Sequence, residues 1–315
     1  MTDLANAKPE RVAVIYNPIR ITEEFRRRVE SELERGGWTE TLWLQTSTED
    51  AGMAMTAQAV KEEVDIVLGI GGDGTIRMIT DGLAGTGIPL GLIPAGTGNL
   101  LARNLKLPLD HVDALNAALG GHTRKIDLVK LSVDNREPQH FAVMAGIGMD
   151  AVIMSEADPE LKKKIGPAAY FLAAGKALGR LPVKITIQLD DHRPIKRQAM
   201  VCVIGNVGEL VANIVLIPDA KPDDGKLNLY VASPQRLSHW LKVILRLITR
   251  RPRKDDQVDE LNGKMVTISV EDKDNYELDG DPVGECTVLT AEIQPGALTV
   301  CVPRSGASRN SSGGC

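Results

Sequence analysis

Five consecutive residues, Gly71-Gly72-Asp73-Gly74-Thr75, have the types and spacing of a loop that holds phosphate. Glycines let backbone N–H groups approach phosphate oxygens with no Cβ in the way. The run Asp65 to Leu68 before them reads as a buried strand. The segment Ile76 to Leu83 reads as a helix whose positive end would face the same anion. A carboxylate there repels phosphate unless a metal ion intervenes, so Asp73 points to a Mg²⁺-bound nucleotide and joins the catalytic candidates. The plainer reading makes Asp73 and Thr75 helix caps, but a cap alone does not require three flanking glycines. A second loop, Pro94-Ala95-Gly96-Thr97-Gly98-Asn99, follows the next expected strand. Thr97 and Asn99 offer uncharged hydrogen-bonding groups to phosphate or ribose. Two glycine loops at neighbouring strand ends define one crevice in an open α/β sheet.

Other phosphate-binding patterns fit less well. Gly69, Gly71 and Gly74 spell G-x-G-x-x-G, but a dinucleotide site needs an acidic residue at the end of the next strand. That strand, Pro89 to Ile93, ends in Pro94-Ala95-Gly96. The chain contains no G-x-x-x-x-G-K-[ST]. A different chemistry is offered by Glu277-Leu278-Asp279-Gly280-Asp281. Asp-Gly is a common hairpin turn, and turn carboxylates are usually solvated. The stretch Lys221-Pro222-Asp223-Asp224-Gly225-Lys226 reads as a turn on the same grounds.

The elements that must position these residues change character along the chain. Up to about Ile126, strands (Arg11–Tyr16, Glu40–Gln45, Asp65–Leu68, Pro89–Ile93) alternate with helices (Thr22–Arg35, Ala51–Glu63, Ile76–Leu83, Val112–Leu119). That alternation implies βαβ units and a parallel sheet covered on both faces. Beyond it, expected strands at Val129–Val133, Phe141–Ala145, Val183–Leu189, Met200–Ile204, Leu227–Val231, Met265–Val270, Thr287–Ile293 and Leu298–Val302 follow one another with turns between them. Helical inserts at Pro159–Leu181 and Pro234–Thr249 interrupt a mainly antiparallel domain. The expected division is an α/β domain over 1–126, a β-rich domain over 127–303 whose last strand returns towards the first, and a disordered Ser/Gly-rich tail over 304–315.

Composition narrows the partners. A net charge of −5 gives no broad electrostatic grip on nucleic acid, and 3% aromatics leave little for base stacking. Cys202, Cys286, Cys301 and Cys315 form no C-x-x-C pair, so reduced, buried thiols in a cytoplasmic protein are expected. The N-terminus is not a signal peptide, and no run reaches the ~18 apolar residues of a membrane span. Lys242, Arg246 and Arg250 line one stripe of a helix whose apolar residues are Leu237, Trp240, Leu241, Ile244 and Ile248. Such a helix can pack on the β domain, or with Arg251, Arg253 and Lys254 lie on the inner membrane surface. Oligomeric state is unreadable, with a homodimer left open.

Together, GGDGT at 71–75 and PAGTGN at 94–99 resemble the diacylglycerol kinase catalytic-domain family, which includes bacterial lipid kinases, sphingosine kinases and ceramide kinases. Further matches are Asn17-Pro18, Gly146-Ile147-Gly148-Met149-Asp150-Ala151, Asp223-Asp224-Gly225-Lys226-Leu227, Leu278-Asp279-Gly280-Asp281 and Pro295-Gly296-Ala297-Leu298, all in the family's order. The resemblance implies a doubly wound nucleotide-binding domain and a β-sandwich-like second domain, with the active site in the cleft between them. It implies an ATP-dependent phosphotransferase that uses Mg²⁺ and a lipid alcohol as acceptor. It implies nucleotide contacts by Asn17, Thr48, Gly71, Gly72, Asp73, Gly74, Thr75, Gly96, Thr97 and Asn99. It implies Asp279 as general base with Asp281 assisting. It also implies a structural Mg²⁺ held by Asp224 and by the backbone carbonyls of Lys221 and Lys226. The chain departs from the family at Ile19-Arg20-Ile21, Arg77, Met78 and Leu100. An NAD kinase-like enzyme shares GGDGT but lacks the PAGTGN and LDGD motifs. A non-catalytic nucleotide- or lipid-binding protein would bind ATP without transferring phosphate.

Overall fold

The computed structural model describes residues 2–3, 10–147, 182–209, 215–233, 258–279 and 281–304. Two units divide the chain, Met1–Ile126 with Gly296–Cys315, and Asp127–Pro295. In the first, after a two-residue strand β1 (Thr2–Asp3), four apolar runs form β2 (Arg11–Tyr16), β3 (Glu40–Gln45), β4 (Ile66–Gly71) and β5 (Leu90–Pro94). They pair in parallel in the order β3-β2-β4-β5. The end of the last strand of the chain lies parallel beside β5 through Val300 and Leu90.

Strands buried on both faces need helices on both. Val12, Val14, Ile66, Leu68 and Ile70 share a core cluster with Phe25, Val29 and Leu33 of α1 (Glu23–Arg35) and Leu115 of α5 (His111–Leu119). On the other face, α2 (Met53–Lys61) and α3 (Asp73–Leu83) pack. There Gly69 leaves room for Ile76 and Ile79, either of which a Cβ would meet within 3.2 Å. Thr22 caps α1 by accepting the Phe25 N–H at 3.2 Å. The five-residue α4 (Leu100–Asn104), absent from the sequence reading, follows the second glycine loop.

The second unit is antiparallel. β6 (His122–Val133), which begins in the first unit, pairs with β7 (Gln139–Phe141). β8 (Met144–Ile147) is a separate strand, so the run expected over 141–145 is broken in two. β9 (Val183–Leu189) pairs with β10 (Ile195–Ala199), and β11 (Val201–Gly205) lies between β8 and β12 (Leu227–Ala232), which β13 (Val258–Gly263) flanks. β14 (Met265–Leu278) and β15 (Asp281–Cys301) run longer than expected. Register shifts at Ser269/Asp274 and Tyr276/Glu277 bend β14, so that Val266–Val270 pair with β9 while Tyr276–Leu278 pair with β8. Bulges re-aim a strand in this way, and here they bring the Asp279 turn onto β8. The core of this unit is built by alternate residues of these strands, among them Leu131, Ile187, Ile204, Leu229, Ile268 and Leu289.

The expected helical inserts over 159–181 and 234–249, the basic cluster at 250–254, residues 148–151 and all but the first residue of the 304–315 tail lie outside the described residues. No helix among the described residues is long and apolar enough to cross a membrane. Cys202, Cys286 and Cys301 are free and buried, and burial pushes each thiol up to about 12.

Candidate active site

From β2 the chain steps outward to β3, then returns past β2 to β4. Loops leaving the strands on either side of that reversal diverge and open a crevice at the strand C-termini. Asn17 leaves β2 at this point. Its N–H donates to the Ile70 carbonyl at 3.0 Å and its Oδ1 accepts from Ile19 N at 3.0 Å. The loop at 71–75 leaves β4, with Asp73, Gly74 and Thr75 forming the first turn of α3. Its N-cap, Gly72, has no side-chain acceptor, so no side chain caps the positive end of α3.

The second loop leaves β5 and lies against the first, with Ala95 N donating to Gly71 O at 2.8 Å. A Cβ on Gly96 would stand 2.7 Å from Gly72 Cα, and one on Gly98 would stand 2.7 Å from Asp73 Oδ2. The two loops touch only because these positions carry no side chain. Asp73 fastens the contact: its Oδ2 accepts from Asn99 N at 2.8 Å and its Oδ1 from Leu100 N at 2.6 Å. Its carboxylate therefore caps α4 rather than its own helix. Each oxygen accepts one N–H and keeps a lone pair for water, metal or ligand.

Asn99, at φ 50, turns its side chain back on the loop, accepting from Gly96 N at 2.9 Å and donating to Gly96 O at 3.0 Å. Thr75 is buried beneath Gly71, whereas Thr97 and Thr48 are exposed. Thr48 donates to Glu49 at 2.9 Å. Asp50, which sequence reasoning passed over, accepts the N–H groups of Gly52, Met53 and Ala54 at 2.7 to 2.9 Å. Those bonds hold its carboxyl below the usual range. Arg77 has a buried Nε without a hydrogen-bond partner among the described residues.

In the second unit, Leu278 and Asp281 pair, which puts Asp279 at the tip of the β14–β15 hairpin. Asp279 takes φ 51, the left-handed conformation that tight hairpin turns use. The turn reading is thus right about the backbone, yet the carboxylate is 8% exposed rather than solvated. Asp279 N donates to Met144 O at 2.8 Å, and Met144 N returns a bond to Asp279 Oδ1 at 2.9 Å. Asp281, two residues on, is exposed. Glu277 was given no role by its sequence, but it is buried, and neither carboxylate oxygen has a partner among the described residues. Burial, then Asp279 and Asp281, push its pKa up to about 7.

The Asp224 turn lies elsewhere in this unit. Lys221, Asp224 and Lys226 are exposed, and Asp224 Oδ1 accepts from Lys226 N at 3.1 Å. The turn is clamped by Asp127, which sequence reasoning missed. This carboxylate is 3% exposed and accepts from Gly225 N at 2.7 Å, while Asp127 N donates to Pro222 O. One carboxylate with backbone carbonyls fits Mg²⁺, which keeps several waters. Among the described residues no group of three His, Cys, Asp or Glu could hold a metal ion.

Residues 11–131 match the diacylglycerol kinase catalytic domain. Residues 143–302, half of the chain, match the YegS C-terminal NAD kinase beta sandwich-like domain. The chain belongs to the diacylglycerol kinase catalytic-domain family. A diacylglycerol kinase of Staphylococcus haemolyticus (strain JCSC1435) is 29% identical over 298 residues, covering 92% of this chain and 88% of that one. One of Staphylococcus aureus (strain bovine RF122 / ET3-1) is 30% identical over 247 residues, 76% of each chain. A crystal structure of a diacylglycerol kinase from Bacillus anthracis str. Sterne superposes with a TM-score of 0.69 at 21% identity, covering 95% of this chain and 99% of that one. The family membership makes the protein a kinase, with lipid kinases as its relatives.

Proposed function

We propose that the protein transfers the γ-phosphate of ATP to the hydroxyl of a lipid, diacylglycerol or a related one, with Asp279 as general base. The observation that carries this reading is the state of Asp279. It is a carboxylate removed from water at a hairpin tip, with its Oδ1 accepting the Met144 N–H while the Asp279 backbone N–H donates to the Met144 carbonyl. A solvated turn residue has no use for such fixation. A base that must meet a hydroxyl in one orientation does.

The glycine loops at 71–75 and 96–99 supply the nucleotide side. Backbone N–H groups at the uncapped start of α3 suit phosphate oxygens. Asp73 keeps the two loops in one register. Mg²⁺, when bound with ATP, would neutralise charge on the transferring phosphoryl group. Asp73 retains the lone pairs to face it, directly or through water. In the transfer, the acceptor O–H gives its proton to Asp279, the oxygen bonds to the γ-phosphorus, and the bond from that phosphorus to the β-phosphate oxygen breaks to leave ADP. Asp281, exposed at the same hairpin, orients the acceptor by hydrogen bonding in this reading. Asp224, with the carbonyls of Lys221 and Lys226, holds a second, structural Mg²⁺ in this reading. A lipid acceptor brings the protein to a membrane surface as a peripheral visitor.

The test is Asp279→Asn, assayed with radiolabelled ATP on extracted membrane lipids and mass spectrometry of the product. The expected result is unchanged ATP affinity by calorimetry and a loss of roughly 10²–10⁴-fold in turnover. Wild-type turnover in the variant would remove Asp279 from the mechanism. Phosphorylation of NAD with no lipid product would replace the acceptor class.

A further inference from the structure

Glu277 is a buried carboxylate to which the reaction above assigns nothing. It stands two residues before Asp279 on β14 and is 2% exposed, with both oxygens unpartnered among the described residues. Its strand partner on β8 is Gly146, where a Cβ would stand 3.0 Å from Glu277 Oε1 and 3.2 Å from its Cγ. The side chain therefore lies over a position that has none of its own. Asp279 is anchored to the same strand at Met144, one residue beyond the neighbour of Gly146.

The surroundings of the two carboxylates differ in one decisive respect. Asp279 receives a backbone N–H, which favours the charged form. Glu277 receives no donor among the described residues. Among the described residues, the charged groups that act on Glu277 are Asp279 and Asp281, both acidic. Strand β8 opposite carries no titratable residue, and neither does Pro282, its partner on β15. Two neighbouring carboxylates in such a site do not both ionise readily, and the proton settles where the anion is served worst.

We infer that Glu277 is the positioning residue of the base: it holds the single proton of a Glu277–Asp279 pair and so leaves Asp279 as the anion at neutral pH. The inference rests on the reading of Asp279 as general base. Burial of Glu277, which places its titration near neutrality, agrees with it. In the reverse arrangement Asp279 would carry the proton and be unable to accept another.

The arrangement is tested on the full chain labelled with ¹³C at glutamate and aspartate carboxyls, with Glu277→Gln and Asp279→Asn assigning the two signals. Glu277 is expected to titrate near 7, and its midpoint to fall in Asp279→Asn, which removes a neighbouring charge. Asp279 is expected to titrate well below Glu277. The pH profile of kcat is read alongside. Wild type should keep its turnover on acidification through neutrality, and the acid limb should stay in place in Glu277→Gln, whose side chain is permanently neutral. A Glu277 signal that titrates with ordinary carboxylates would overturn the inference. So would a wild-type acid limb near 7 that moves down in Glu277→Gln, because it would show the proton residing on Asp279. If Asp279→Asn retained full turnover while Glu277 still titrated near 7, the base assignment alone would fail.

Discussion

Replacing Glu277 by Gln should change how stability responds to pH more than stability at any single pH. An ordinary glutamate titrates at 4.5, and burial with Asp279 and Asp281 alongside moves Glu277 to about 7. Because the folded pKa is raised, the fold binds this proton more tightly than the unfolded chain does. The contribution is complete below the unfolded value and is lost as pH rises through the folded one. A shift of this size corresponds to about 3 kcal/mol, of which about 2.5 kcal/mol falls between pH 5 and 8.5. The glutamine variant buries a similar shape with no charge to ionise, so it should escape that loss. Groups common to the two proteins cancel in the difference. Asp50 and Asp134, whose pKa values are lowered, act below the window and in the opposite direction. The assay is urea denaturation at the two pH values, followed by circular dichroism. The expected outcome is that wild type loses about 2.5 kcal/mol more than the variant over this range. In thermal melts the second unit should show about 5–10 °C. Parallel pH curves for the two proteins would show that water reaches Glu277, and the proton-holding argument would go with it.

Two further substitutions test the loops and the turn. Gly96→Ala drives a Cβ to 2.7 Å from Gly72 Cα and 3.0 Å from Asn99 Oδ1. Backbone cannot step aside cheaply, so a loss of about 1–3 kcal/mol is expected, with weaker ATP binding by calorimetry. Asp224→Asn should leave the fold intact, because Asp127 rather than Asp224 clamps Gly225; added Mg²⁺ is expected to raise the melting temperature of wild type and not that of the variant.

The contact-forming glycine loops were legible because their information is local: glycines, an acid and a threonine in five residues. What Asp73 does was not, since its partners lie 26 and 27 residues away on a loop brought alongside by strand pairing. Helix α3 was expected to begin at Ile76 and begins at Asp73, since glycine hides a helical turn from any propensity argument. β10 and β13 were missed because they carry charged residues such as Lys196, Arg197, Asp259 and Glu260, and are held by backbone pairing. The charged run Glu271–Asp274 lies beyond the expected strand Met265–Val270 and is the bulged middle of β14. Asp127 and Glu277 gave no signal: an acid within a strand looks the same whether it ends in water or in a core.

The Asp-Gly pair at 279–280 shows why turn grammar and chemistry should not be set against each other. A left-handed φ at a residue with a Cβ is a modest strain, tolerated best by Asp and Asn. Here it is met at the one acid whose carboxylate is then fixed on β8 by Met144. A longer or looser loop would satisfy the hairpin equally well and leave the carboxylate solvated and mobile. Tight closure carries Asp279 into a half-dry position with no freedom to turn away. The bulge at Tyr276/Glu277 sets which strand that position overlies. The same bulge seats Glu277 over Gly146. One irregularity in β14 thus places both carboxylates, and a change that restored regular pairing there would be expected to disturb the proposed base and the neighbour proposed to hold its proton together.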